Sequence, residues 1–104
     1  MEATMITMVP VELDGGTAIG TMVELPKTRV LSISTEKGYV MCGVLNVPEL
    51  DRIHPERRII AARVIGVREI EDLLHAKVVE ATDEAKKLGI KEGMTGKEAL
   101  EKMI

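Results

Sequence analysis

Gly38-Tyr39-Val40-Met41-Cys42-Gly43 holds the chain's only cysteine and only aromatic residue between two glycines, so any thiol chemistry must run through this hexapeptide. Cys42 closes a strand-like run just before a turn into a helix, where converging backbone N–H groups would stabilise a thiolate and make it a nucleophile. A free cysteine between Val40 and Val44 reads more often as a small buried hydrophobe. His54 and His75 are the available bases, since Cys–His pairs meet in space rather than in sequence.

Positive charge supplies the second chemistry. Arg63 interrupts an apolar strand face, and a guanidinium there needs either a carboxylate of the protein or an acidic ligand held by its fork. Arg68 lies at the strand's end, where ligand crevices of α/β crossovers form, so the two arginines could address one anion; Arg68 reads equally as a solvated residue at a helix start. Lys27-Thr28, after Pro26, is a basic-plus-hydroxyl pair that could touch the same anion. Lys27, Thr28, Tyr39, Arg63 and Arg68 are the candidate ligand-binding residues, and Cys42 is the candidate catalytic one. The glycine-rich stretch 89–97 lacks the preceding strand and the Gly-Lys-Ser/Thr ending of a phosphate loop, and its glycines read as helix caps. Neither histidine has a second ligand at metal spacing, so no metal site is expected and no cofactor is identified.

Alternation of apolar and polar residues predicts the elements that must position these groups. Residues 5–13 and 17–25 read as a hairpin around Asp14-Gly15-Gly16, with Pro10 marking an edge strand or a bulge. Residues 29–35 and 39–42 form a second hairpin, turned by Glu36-Lys37-Gly38. A short helix follows, with Asn46 as N-cap, Leu45, Leu50 and Ile53 on its inner face, and His54-Pro55 at its end. The β-branched run 58–67 is a strand, so the strand–helix–strand order predicts a parallel crossover. Beyond Gly66, Ile70, Leu73 and Leu74 share a helical stripe, residues 78–88 form another helical segment capped by Gly89, and Thr95-Gly96-Lys97-Glu98 is a capping box. The order is ββββαβααα: an α+β domain, residues 1–104, with a mixed sheet, a protruding N-terminal hairpin and C-terminal helices.

Composition narrows the function classes. With 17 acidic against 14 basic side chains in 104 residues, the formal net charge is −3, and one tyrosine offers no stacking platform, so nucleic acid is not an expected partner. No leading signal pattern and no run approaching ~18 apolar residues is present, so a cytoplasmic protein without membrane spans is expected. Glutamine is absent and Asn46 is the only asparagine, a thermophile-like bias. Phe and Trp are also absent, so the core must come from aliphatic residues and methionine, and self-association would help it.

Leu25-Pro26-Lys27-Thr28, the Gly-Tyr-x-Met-Cys-Gly core at 38–43, Arg63, Gly66-Val67-Arg68, Leu73-Leu74, Leu88-Gly89-Ile90 and Gly93-Met94 with Gly96, Ala99 and Leu100 together resemble the YunC-like family of small bacterial and archaeal proteins. The resemblance implies an α+β domain whose N-terminal β region, here residues 1–25, mediates tetramerisation; it implies no established activity. Asn46 stands where relatives are expected to carry an acidic residue, and Glu69 stands in place of a capping hydroxyl. The leading functional reading is an oligomeric domain that binds a small anionic metabolite through an Arg/Lys pocket next to Cys42. The alternatives are an enzyme in which Cys42 attacks an electrophilic carbon or sulfur, and a structural assembly module.

Overall fold

A four-stranded meander of three hairpins opens the chain where the alternation is cleanest. In the computed structural model, which describes residues 5–53 and 55–104, β1 (Ile6–Leu13) and β2 (Gly16–Leu25) pair antiparallel. The Asp14-Gly15 turn joins them with Gly15 at φ +96°, a backbone that L residues avoid. β3 (Thr28–Ser34) continues the meander, and β4 (Gly38–Met41) pairs antiparallel with it. The crossover α1 (Val47–Ile53) then leads, through a 3-10 turn at Pro55–Arg57, to β5 (Ile60–Val64), which pairs parallel to β4. Asn46 Oδ1 accepts from Glu49 N at 3.3 Å, the expected N-cap of α1. His54 lies outside the described residues.

The chain closes with α2 (Asp72–His75), β6 (Val78–Ala81), α3 (Asp83–Lys87) and α4 (Gly96–Glu101). The sheet runs β1-β2-β3-β4-β5-β6, antiparallel except at β4–β5, so the architecture is α+β with a mixed sheet. The main departure from the sequence reading is β6. Residues 78–81 are strand rather than helix because they supply β5 with its second neighbour, and the helix begins only at Asp83. Thr82 makes the switch: its buried Oγ1 donates to Ile59 O at 2.7 Å and accepts from Ala61 N at 3.1 Å and Ala85 N at 3.3 Å, joining β5 to the start of α3.

Period-two alternation assigns the faces. Ala18, Leu31, Ile33, Val40, Ala62 and Val64 pack with Leu73, Ala85, Leu100 and Met103 in one cluster beneath the later helices. In α1 the buried residue is Val47, while Ile53, expected on the inner face, is half exposed. The glycines of the 89–97 stretch divide by role. Gly89 (φ +90°) is the expected left-handed cap after α3, and Gly93 (φ +93°) serves a turn. Gly96 instead allows close approach: a Cβ there would lie 1.8 Å from the Leu73 carbonyl oxygen. The Thr95–Glu98 capping box is present.

β1 is an edge, as Pro10 suggests. Glu24 N donates to Met5 O at 2.9 Å, so the bonded pairs of this ladder fall on odd positions of β1 and Pro10, opposite Ile19, sits in a non-bonded pair. Its missing N–H therefore faces away from β2 and the ladder loses no bond.

Candidate functional site

Three of the candidate residues meet in one place. Leu25 and Thr28 pair across the two-residue turn Pro26-Lys27, in which Lys27 takes φ +64° after the proline. That turn forms one wall of an open cleft of about 640 Å³; residues 67–69, between β5 and α2, form the other. Lys27, Thr28 and Arg68 line it with Arg29, Glu24 and Glu69, and Leu25 and Val67 give it apolar surface.

Arg29 ties the two walls together. Its guanidinium sits 3.3 Å from Glu24 and 3.1 Å from Glu69, and it donates to the Arg68 carbonyl at 2.9 Å. The second wall is further fixed by Asp72, whose Oδ2 accepts from Arg68 N and Glu69 N, both at 3.0 Å. Those two backbone donors favour the charged carboxylate and hold Asp72 below the ordinary aspartate range. Arg29 is thus occupied by the protein. Among the described residues, the Lys27 ammonium and the Arg68 guanidinium form no hydrogen bond or ion pair, and Asp72 exerts only a weak attraction on Arg68.

The other candidates lie elsewhere. Arg63 faces away from the main core and finds a carboxylate of the protein: Nε is 2.9 Å from Glu80 on β6, and a guanidinium nitrogen reaches the Gly43 carbonyl at 3.5 Å. Cys42 follows β4 on the core side, 5% exposed, with Sγ accepting from Leu31 N at 3.4 Å. It belongs to the same apolar cluster as Val40 and Leu73 and does not line the cleft. Tyr39 pairs with Ser34 at the opposite end of β3 from Thr28, in a shallow recess with Arg57 and Arg58, and partial burial raises its phenol above the usual tyrosine value. His75 is exposed and lies 4.0 Å from Glu71. Among the described residues no group of three His, Cys, Asp or Glu could hold a metal ion, and no helix is long and apolar enough to cross a membrane.

Arg29, Glu24 and Asp72 escaped the sequence reading, and Glu69 entered it without a place in the cleft. A signal existed for the first pair, because a two-residue turn at 26–27 places positions 24 and 29 opposite each other with complementary charge. The contacts from Arg29 to residues 68 and 69 span about forty positions and have no local signature.

A family model described as a domain of unknown function (DUF1805) matches residues 41–103, which include Cys42, Arg63 and Arg68 but not Lys27, Thr28 or Tyr39. Over 100 residues the chain is 42% identical to the uncharacterized protein YunC of Bacillus subtilis (strain 168), covering 96% of this chain and 99% of that protein. The crystal structure of a protein of unknown function from Thermoplasma acidophilum superposes with a TM-score of 0.88 at 34% identity, covering 100% of this chain and 98% of the other.

Proposed function

The chain belongs to the YunC-like family, and we propose that it is an oligomeric, cytoplasmic module that binds a small anionic metabolite between Lys27, Thr28 and Arg68. One observation carries this reading: of the three cations lining the cleft, only Arg29 has a hydrogen bond or ion pair among the described residues, while Lys27 and Arg68 line the same open space as Thr28. Bound anions relieve such an arrangement through charge-assisted hydrogen bonds. Arg63 is not a ligand contact in this reading, because Glu80 already answers it. The test is thermal melting at low ionic strength with sulfate against chloride. Sulfate should raise the melting temperature by mass action, and the rise should vanish when Lys27→Ala and Arg68→Gln are combined. Absence of a sulfate-specific shift in the parent protein would overturn the reading.

A second observation favours self-assembly through the N-terminal hairpin, with the tetramer as the expected form. Ile6, Met8 and Ile19 lie on the sheet face opposite the main core and are 63%, 65% and 48% exposed, a contiguous apolar surface that a monomer leaves in water. Pro10 removes an outward donor from the middle of the β1 edge, so a second copy is expected against this face rather than along the edge. Met8→Glu with Ile19→Glu should lower the mass seen by light scattering; a monomeric parent at micromolar concentration would refute assembly. The enzyme reading finds least support. Cys42 is enclosed with aliphatic neighbours, and an electrophile would reach it only if β4 opened.

A further inference from the structure

Resting on the anion-cleft reading above, we propose that the ligand is a phosphomonoester-type dianion carrying an apolar body, and that Lys27 is its specificity-determining contact. Charge balance leads to the head group. Glu24 and Glu69 both engage Arg29, and the Arg29 guanidinium also donates to the Arg68 carbonyl, so this cation has little left to offer a ligand. Among the other residues that line the cleft, Lys27 carries an ammonium, Arg68 a guanidinium and Thr28 a hydroxyl. A monocarboxylate fills a single fork and leaves the second cation unanswered. A tetrahedral dianion presents enough charge and enough acceptor oxygens for both. The two flanking carboxylates work in the other direction against a polyphosphate, whose further negative charge would meet Glu24 or Glu69.

Size leads to the body. The cleft of about 640 Å³ holds on the order of twenty waters at about 30 Å³ each, several times what an inorganic phosphate displaces. Leu25, 42% exposed, and half-buried Val67 offer apolar surface within it. Water against these side chains gains from displacement by an apolar group, so a bare anion uses only part of the site.

The backbone of Lys27 points the same way. Its φ of +64° falls where glycine or asparagine is the unstrained choice, at the second central position of a Pro-led turn. A lysine tolerated there contributes nothing to the turn through its side chain, and among the described residues its ammonium has no intramolecular partner. Strain held at a residue that lines a cleft, with its charge unspent, is the pattern of a ligand contact rather than of a structural one.

Isothermal titration at low ionic strength with three probes tests this: phenyl phosphate, benzoate and inorganic phosphate. Phenyl phosphate should bind at least about tenfold tighter than either of the others. Its second ionisation lies near 6, so its affinity should fall about fourfold between pH 7.5 and 5.5 while that of benzoate stays level. Glu24, Arg29 and Glu69 are the other charged groups that line the cleft, and benzoate serves as the control for their charge. Lys27→Gly should abolish the preference for phenyl phosphate over benzoate while the melting temperature stays level or rises, because glycine relaxes the turn. Benzoate binding as tightly as phenyl phosphate would overturn the dianion assignment and leave the anion cleft standing. Inorganic phosphate binding as tightly as phenyl phosphate would overturn the apolar body. A preference that survives in Lys27→Gly would remove Lys27 from the site. If no probe binds and sulfate gives no thermal shift, both this proposal and the cleft reading fall.

Discussion

Replacing Gly96 by alanine sets two effects against each other. Alanine is the better helix former by about 1 kcal/mol, less at a helix's first residue, so propensity alone predicts a more stable protein. The added Cβ, however, would lie 1.8 Å from the Leu73 carbonyl oxygen and 3.0 Å from its carbon, where ordinary contacts begin at 3.4 Å. The gap between α2 and α4 would have to open by about 1.6 Å (3.4 − 1.8), and backbone atoms cannot rotate aside as a side-chain tip can. Leu73, Leu100 and Met103 are fully buried around this contact, so opening it loosens the centre of the core. Overpacking of this kind costs about 3 kcal/mol, and after the propensity gain the net loss is about 2–3 kcal/mol. For a chain of this size that lowers the melting temperature by roughly 10–20 °C. The cleft should suffer as well, although Gly96 does not line it, because α2 carries the Asp72 carboxylate that fixes the amides of Arg68 and Glu69. Differential scanning calorimetry and sulfate binding on Gly96→Ala read both effects. A variant that melts at or above the parent temperature would show that the α2–α4 packing gives way freely and refute the reasoning.

Alkylation of Cys42 by a small reagent should be slow in the folded protein and fast in denaturant, tracking local opening; prompt labelling under native conditions would place the thiol on the surface. Arg63→Met should destabilise by about 1–2 kcal/mol, less than the removal of one partner from a fully buried pair, because both side chains of the Arg63–Glu80 pair reach solvent. Denaturant titration checks this, and a loss unchanged in a Glu80→Gln background would deny the pairing. Asp72 is depressed below its ordinary value of 3.8, so its contribution is present above that pH and is lost as pH falls through the lower folded value. Asp72→Asn should therefore flatten the acid limb of stability below about pH 4, measured by melting across pH 2–7; an unchanged acid limb would contradict the two amide bonds.

The β1–β2 and β3–β4 hairpins, the parallel crossover, the Asn46 cap and the final capping box were legible because each is written in local spacing. Residues 78–81 were not, since four residues ahead of a genuine helix fit either period, and only the bare edge of β5 decides for strand. The candidate set divided for a related reason. Alternation alone puts Val40 and Cys42 on one side of β4 and Met41 on the other, but the register Met41↔Arg63, which sends Arg63 away from Cys42, is a fact of pairing between segments. Lys27, Thr28 and Arg68 do converge, held by an Arg29 bridge that no window of sequence contains.

That bridge also bears on rates. The hairpin of β2 and β3 closes over two residues and can form in microseconds, whereas Arg29 meets residues 68 and 69 only after some forty intervening residues have been brought into place. The two walls of the cleft are therefore joined later than the hairpin that builds the first of them. Contacts made after the transition state act mainly on unfolding. A ligand that clamps the two walls together should lengthen the lifetime of the folded chain while leaving its speed of folding unchanged.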